Sequence, residues 1–324
     1  MTILARAEPI ARAIGSADFA VPDDAIEAAL RRHVRKTFDV GDLAWREELA
    51  KAIGTRRLGL RRSLRRVFAS SRNARDQSDV RAGYEGHWEQ MGALERYVVG
   101  LDERTLCAVW QNRGMHLAPQ ALRQSHLLYL MRAIEVLTPR HVLDVGFGNG
   151  NIILVLAARF PGVAFNGVEL TGSGLAIARA MQSQIALPPS FAERSPEPLQ
   201  DLTAHRGVEL SIGNARALPF PDRAFDLVYT RLALEQMEAI RRHALREIAR
   251  VAGRAVVLLE PWRDFNLRDP GRAYIRRQGY FSARISDLTN YGLEVMFSTA
   301  DLPQKVQFNS GPVVAMRVAD TVAA

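Results

Sequence analysis

Residues 141–160 restrict the fold more than any other stretch of this chain. They begin His141-Val-Leu-Asp-Val-Gly-Phe-Gly-Asn-Gly150 and continue into an apolar run ending at Ala158. A short apolar strand closes on Asp144. Glycines 146, 148 and 150 follow at alternate positions, and a helix is expected over 151–160. Glycine takes positive φ without steric cost and lets a second group approach the backbone. Amides bent around such a turn, and those opening the next helix, are placed to grip an electronegative ligand.

The same rhythm repeats downstream. Further strands are expected at 163–169, 208–212, 226–230 and 254–260, and helices at 172–185, 234–251 and 272–288. Strands alternating with helices imply a parallel sheet covered on both faces. The last two strand-like runs, 293–299 and 312–318, are joined by a Gln/Asn/Gly loop with no helix, so they should pair antiparallel. The expected fold class is therefore α/β: a doubly wound, mostly parallel seven-stranded sheet ending in an antiparallel hairpin, preceded by a helical N-terminal region. The division falls between residues 1–118, a substrate cap or oligomerisation unit, and the ligand-binding domain at 119–324.

Within the first region, Asp23 or Asp24 should cap a helix carrying Ile26, Leu30, Val34 and Phe38 on one face. Helical patterns follow at 43–53, 58–68, 91–101 and 119–137, with 69–86 as a linker rich in polar residues and glycine. The segment 186–206 holds Pro188, Pro189, Pro196 and Pro198, and reads as a long irregular loop of the functional kind.

Composition narrows the setting. Cys107 is the sole cysteine, which excludes an internal disulfide and a cysteine-based metal centre and points to a cytoplasmic location. No run approaches the roughly 20 apolar residues of a membrane span, and Arg6 and Arg12 interrupt any leader-like core. The net charge of +8 is almost wholly arginine, since Lys36, Lys51 and Lys305 are the only lysines. The densest arginine run, 56–66, reads as a solvated helix face packed on the domain or on a second copy of the chain. Peripheral contact with an anionic membrane, RNA or a polyanionic saccharide is its alternative use.

The second strand ends in Glu169, where dinucleotide-type folds place a carboxylate on ribose hydroxyls. Gly213-Asn214-Ala215 then precedes Leu218-Pro-Phe-Pro-Asp222 and a further strand. Together these pieces resemble class I S-adenosylmethionine-dependent methyltransferases over residues 120–318. The resemblance implies S-adenosylmethionine as cofactor. Asp144, Gly146, Phe147, Gly148 and Gly150 would hold its methionine part, Glu169 would hold its ribose, and Leu170 would be a further cofactor contact. Asn214 and Ala215 would lie beside the adenine, an Asn standing where the family often has Asp. Thr230 and Arg231 would run along cofactor and acceptor. No metal is implied.

The resemblance and the residues point to methyl transfer to oxygen or nitrogen of a small molecule or a saccharide. Cytosine-directed enzymes use a cysteine near the fourth strand, and Cys107 lies upstream of the whole domain. Amino-directed nucleic-acid enzymes carry a proline motif after that strand, where this chain has Thr230-Arg-Leu-Ala. Both observations argue against nucleic acid as partner. A nicotinamide-dependent oxidoreductase is the rival enzyme, but its G-x-G-x-x-G fingerprint requires glycine at 151, and Asn151 stands there. A non-catalytic anion-binding protein with a vestigial cofactor site is the other alternative.

Candidate catalytic residues are Arg231, Glu235 and His87. Arg231 reads either as an anchor for an acidic acceptor or as an arginine paired with a nearby acid. Glu235 reads as a base or as the first-turn acid of its helix. Glu260, Trp262 and Arg263 are placed to build the acceptor wall, though Trp262 fits an ordinary core equally well. His116 and His126 are the remaining histidines of the lead-in.

Overall fold

The computed structural model describes residues 14–52, 76–91, 105–268 and 271–318. In chain order, helix α1 (Asp23–Arg31) leads into strand β1 (Val34–Asp39), followed by helix α2 (43–52) and helix α3 (Gln77–Met91). Strands β2 (Leu106–Trp110) and β3 (Arg113–Leu117) form a hairpin that runs into helix α4 (Pro119–Leu137). Pro119 starts that helix at a position where a missing N–H costs nothing.

The large domain then alternates as expected: β4 (His141–Val145), α5 (Ile153–Arg159), β5 (Ala164–Glu169), α6 (Gly172–Gln182), β6 (Glu209–Ile212) and β7 (Phe225–Arg231). Helix α7 (Arg241–Val251) passes directly into β8 (Ala252–Glu260), and α8 (Gly271–Gln278) precedes β9 (Leu293–Ser298), β10 (Gln304–Lys305) and β11 (Gly311–Arg317). The seven strands of the main sheet lie in the order β6-β5-β4-β7-β8-β11-β9. β4 pairs parallel with both β5 and β7, β5 with β6, and β7 with β8. β11 inserts antiparallel between β8 and β9.

Side chains alternate across this sheet and create two cores. Val142, Phe165, Tyr229 and Val257 face a layer formed by α4, α5 and α6. Leu143, Val228, Val256 and Leu258 face the opposite layer, where Leu245 and Ile248 of α7 pack with Trp262 and Phe281. A sheet buried on both sides needs the nearly continuous apolar strands found here.

The N-terminal region departs from the expected all-helical reading. Its strands form a second sheet in the order β1-β3-β2-β10, antiparallel throughout. Val34 and Phe38 thus sit on β1 rather than on α1, which ends at Arg31. A four-residue spacing satisfies the two-residue period of a strand as well as the helical period, so spacing alone does not separate them. The N-cap of α1 is Pro22, with Asp23 and Asp24 in the first turn. Residues 77–86, expected as linker, belong to α3. The helical patterns at 58–68 and 92–101, and the arginine run 56–66, lie outside the described residues.

The small sheet takes its fourth strand from far along the chain: Gln304 and Lys305 pair with Val109 and Ala108. The loop between the last two strands of the main sheet therefore reaches across to the N-terminal region. Trp45 of α2 packs on the same sheet, its ring 5.6 Å from that of Phe38. Among the described residues no helix is long and apolar enough to cross a membrane.

A Cβ on Gly114 would lie 2.4 Å from Cδ2 of the buried Trp45 ring. Gly114→Ala should therefore lower unfolding stability by about 1–3 kcal/mol, the usual range for overpacking. Urea unfolding measures this, and an unchanged midpoint would mean that α2 does not dock on the sheet.

Candidate active site

Strand order reverses at β4, whose two neighbours β5 and β7 connect in opposite directions. Open α/β sheets bind ligands in the crevice at such a point, outside the C-terminal strand ends. A cavity of about 820 Å³ opens there, within the range typical of small-molecule sites. Asp144, Gly146, Phe147 and Gly148 form its floor, and Glu169 and Leu170 at the end of β5 form one wall.

Gly146, Gly148 and Gly150 have φ of 86°, 61° and 80°, the left-handed region that L side chains avoid. Their amides, however, are partnered within the protein. Gly146 N–H donates to Val168 O at 2.7 Å, Gly148 N–H to Glu169 Oε2 at 2.9 Å, and Gly150 N–H to Phe147 O at 3.1 Å. The glycines serve the site by their left-handed turn and by letting neighbouring segments pack against the loop, rather than by offering those three donors. A Cβ on Gly146 would lie 2.6 Å from Ala233 Cβ, and one on Gly148 3.0 Å from Trp88 Cζ2. Gly150 does not line the cavity, and a Cβ there would lie 2.8 Å from Ala178 of α6.

Glu169 is buried and accepts three hydrogen bonds: from Gly148 N–H, from Thr171 N–H at 3.1 Å and from the Thr171 hydroxyl at 2.7 Å. A carboxylate has about four acceptor positions, so capacity for a ligand hydroxyl is left. Asp144 accepts from the Tyr229 hydroxyl at 2.7 Å. Burial lifts its carboxyl from an ordinary 3.8 to about 7, against the lowering effect of that hydrogen bond.

Helix α3 closes the other side. Tyr84, His87 and Trp88 line the cavity, with the His87 and Trp88 rings 4.8 Å apart. Glu85 fastens the helix: its carboxylate accepts from Gly172 N–H at 2.8 Å and Ser173 N–H at 2.9 Å, and from the Ser173 hydroxyl. An acid placed on the first amides of α6 caps that helix and anchors α3 at once. Trp88 Nε1–H is buried and meets no acceptor among the described residues. A buried donor without a partner on a residue that lines the cavity fits a polar ligand there.

Asn214, named from the sequence as the residue beside the adenine, is engaged with α3. Its side-chain amide pairs with Gln77 (Nδ2 to Gln77 Oε1, 2.8 Å), and its Oδ1 accepts from Arg216 N–H at 2.8 Å. Ala215 lines the cavity and Asn214 does not. Thr230 is fully buried in β7 and likewise does not line it.

Beyond β7, Arg231, Glu235 and Gln236 form the far wall. Arg231 Nε–H donates to His126 Nδ1 at 3.1 Å. Burial and then the neighbouring Arg123 pull the Arg231 guanidinium down to about 10, so it stays cationic at neutral pH. Burial, followed by the charge of Arg231, holds His126 well below its usual value and keeps the ring neutral. Sequence reading missed Arg123, although it stands one helical turn before His126 on α4; it missed Arg194 too, buried in the proline-rich segment and bonded to Asn151 Oδ1 at 2.6 Å.

Glu260, which ends β8, and Trp262 are buried in the core and do not line the cavity. The Glu260 carboxylate accepts from the amides of Ala233, Leu234 and Glu235, all at 3.1 Å. Burial, followed by repulsion from Glu235, raises it to about 8. Trp262 is fully buried against Phe281, with ring centroids 5.1 Å apart. Arg263 lies in a short helical turn away from the cavity. His116 packs edge-on against Phe38 in the small sheet. Among the described residues no group of three or more His, Cys, Asp or Glu is placed to hold a metal.

Comparison with known proteins agrees with this geometry. Residues 143–258 match the family described as "Methyltransferase domain". A demethylmenaquinone methyltransferase from Thermus thermophilus is 31% identical over 141 residues, 42% of this chain and 55% of the relative. The chain thus spans about half the length of that relative. Among solved structures, an S-adenosylmethionine-dependent methyltransferase from Methanosarcina mazei is 19% identical, with 56% of this chain and 93% of that chain covered and a TM-score of 0.41. Human N-acetylserotonin methyltransferase in complex with S-adenosylmethionine is 15% identical, with 62% and 54% covered and a TM-score of 0.43.

Gly148→Val should abolish S-adenosylhomocysteine binding in calorimetry while circular dichroism keeps its shape. Its β-branched side chain would collide with the Trp88 ring that closes the cavity there and adds about 1–2 kcal/mol of left-handed strain. Wild-type affinity in that variant would remove the loop from the site. A second expectation concerns pH. Asp144 and Glu260 keep their protons in the folded chain where the unfolded chain has lost them, so ionisation favours unfolding. The histidines held below their usual value by burial, His33, His126 and His205, act in the opposite sense up to about pH 6.5, so urea midpoints should fall as pH rises from about 6.5 toward 8, and Asp144→Asn should reduce that fall. A rise over that window, or an unchanged slope in the variant, would contradict the burial of an acidic Asp144.

Proposed function

We propose that this chain, which carries a class I S-adenosylmethionine-dependent methyltransferase domain, transfers the cofactor's methyl group to oxygen or nitrogen of a small molecule or a saccharide in the cytoplasm. The observation that carries the reading is the cavity at the β4 switch point. One end is built from Asp144, Gly148 and Glu169, and the other from Arg231, Glu235 and Gln236. The family match over 143–258 supports the same reaction. The lone Cys107 suits a reducing compartment.

When bound, the cofactor supplies a methyl group on a sulfonium, open to in-line displacement. The protein's part is chiefly to position the acceptor, an effect that by itself removes much of a bimolecular barrier. Glu169 would hold the ribose hydroxyls with its remaining acceptor capacity, and Asp144 would face the methionine part. Leu170 and Ala215 would flank the adenine. Trp88 would close over Gly148 and exclude water. Glu235 is the buried carboxylate on the acceptor side, and His87 is the titratable ring on α3. Either is placed to take the proton of a hydroxyl acceptor, while a neutral amine needs no base. The N-terminal residues up to 118, through α3, would cap the substrate.

Incubating the protein and a cell extract with methyl-labelled S-adenosylmethionine tests the proposal. Label should appear in the small-molecule or saccharide fraction, and Glu169→Ala should remove most of it. Label confined to nucleic acid would overturn the acceptor class. Absence of both label transfer and S-adenosylhomocysteine binding would overturn the function.

A further inference from the structure

A second cavity of about 150 Å³ adjoins the large one and shares Arg123, Arg231, Pro119 and Leu232 with it. It lies between α4, the start of the segment after β7, and the strand β10 that the C-terminal region lends to the small sheet. Arg123, His126, Arg231 and Lys305 line it, and no carboxylate does among the described residues. The acids that balance Arg231, namely Glu235, Glu260 and Asp144, belong to other surroundings; Glu235 and Asp144 line the large cavity and Glu260 is buried in the core.

The convergence of charge here is independent of the cavity's outline. Arg231, Lys305 and Arg123 all bear on the His126 ring as positive neighbours. Because Nδ1 of that neutral ring accepts from Arg231 Nε–H, its own proton is assigned to Nε2. Arg123 Nη1–H donates to Gln120 Oε1 at 2.9 Å. Three cationic side chains lining a small, partly enclosed space, with no carboxylate among its described lining residues, set a positive potential that favours an anion there. Guanidinium pairs favour planar carboxylate and phosphate oxygens through charge-assisted hydrogen bonds.

We propose that this smaller cavity is an anion subsite, in which Arg123, Arg231 and Lys305 hold a carboxylate or phosphate group of the methyl acceptor. The inference rests on the methyl-transfer reading and refines it: the acceptor is an acidic or phosphorylated small molecule whose reactive atom lies in the large cavity. Arg231, which lines both spaces, links recognition of the anion to placement of the nucleophile.

Titration of inorganic phosphate, and separately of acetate, into protein saturated with S-adenosylhomocysteine tests it by calorimetry. At least one anion should bind in the millimolar range, more weakly as salt rises. Arg123→Gln and Lys305→Gln, both at half-buried positions, should each weaken it about tenfold, as expected for loss of one charge-assisted hydrogen bond. Affinity for S-adenosylhomocysteine should stay at the wild-type level in both variants. No anion binding, or equal anion binding in all three proteins, would overturn the subsite. A fall in S-adenosylhomocysteine affinity in both variants would also overturn it, by assigning these cations to the cofactor's own carboxylate. If the wild type does not bind S-adenosylhomocysteine, the methyl-transfer reading fails instead, and the anion titration of unliganded protein still judges the cavity.

Discussion

The backbone reversal between β4 and α5 is the constraint on which the site depends. Three residues in left-handed conformation turn the chain sharply enough to set α5 against the sheet while leaving the strand end open. Glu169 holds that reversal from the neighbouring strand by accepting from Gly148 N–H and from Thr171. Its carboxylate thus couples the turn to the entry of α6. Glu85 then ties α3 to the same helix entry. Two acids on one helix N-terminus therefore join the floor, the wall and the cover of the cavity, each favoured by the positive end of the helix.

The cavity is electrically divided. Its β4–β5 end is acidic, with Asp144 and Glu169, and suits a ligand carrying positive charge. Its far end is rich in guanidinium groups from Arg123, Arg194 and Arg231, with Glu235 among them. Charges in a partly enclosed space are screened less than on an open surface, so this division should orient whatever spans the cavity. Burial lifts Asp144 to about 7, which leaves its ionisation responsive to a cationic ligand near neutral pH.

Much of the main sheet was legible because each strand is an apolar run bounded by glycine, proline or acidic residues; β4 and its glycine turn are the clearest case. The small sheet was not. Lys36 is flanked by Val34 and Phe38 at a spacing common to strand and helix, and the closing strand β10 lies some two hundred residues from its partner β2. Helix α3 read as a linker because Gly83 and Gly86 interrupt it, and what holds it is a tertiary contact through Glu85. In the site, Asp144, Gly148, Glu169 and Ala215, all named from the pattern, line one cavity. Asn214 does not line it, and its side-chain amide pairs with Gln77. Trp262 and Glu260 follow β8 in sequence but turn into the core, a choice that packing rather than local sequence decides.

The central claim is that one ligand lies across the β4 switch point, under α3, with its sugar on Glu169. A crystal structure with S-adenosylhomocysteine tests it most directly. The account predicts the ribose diol on the Glu169 carboxylate, Trp88 over the ligand beside Gly148, and the sulfur facing the side of the cavity formed by Arg231 and Glu235. A ligand bound elsewhere, or a cavity filled by α3 with the glycine turn facing away from it, would contradict the account.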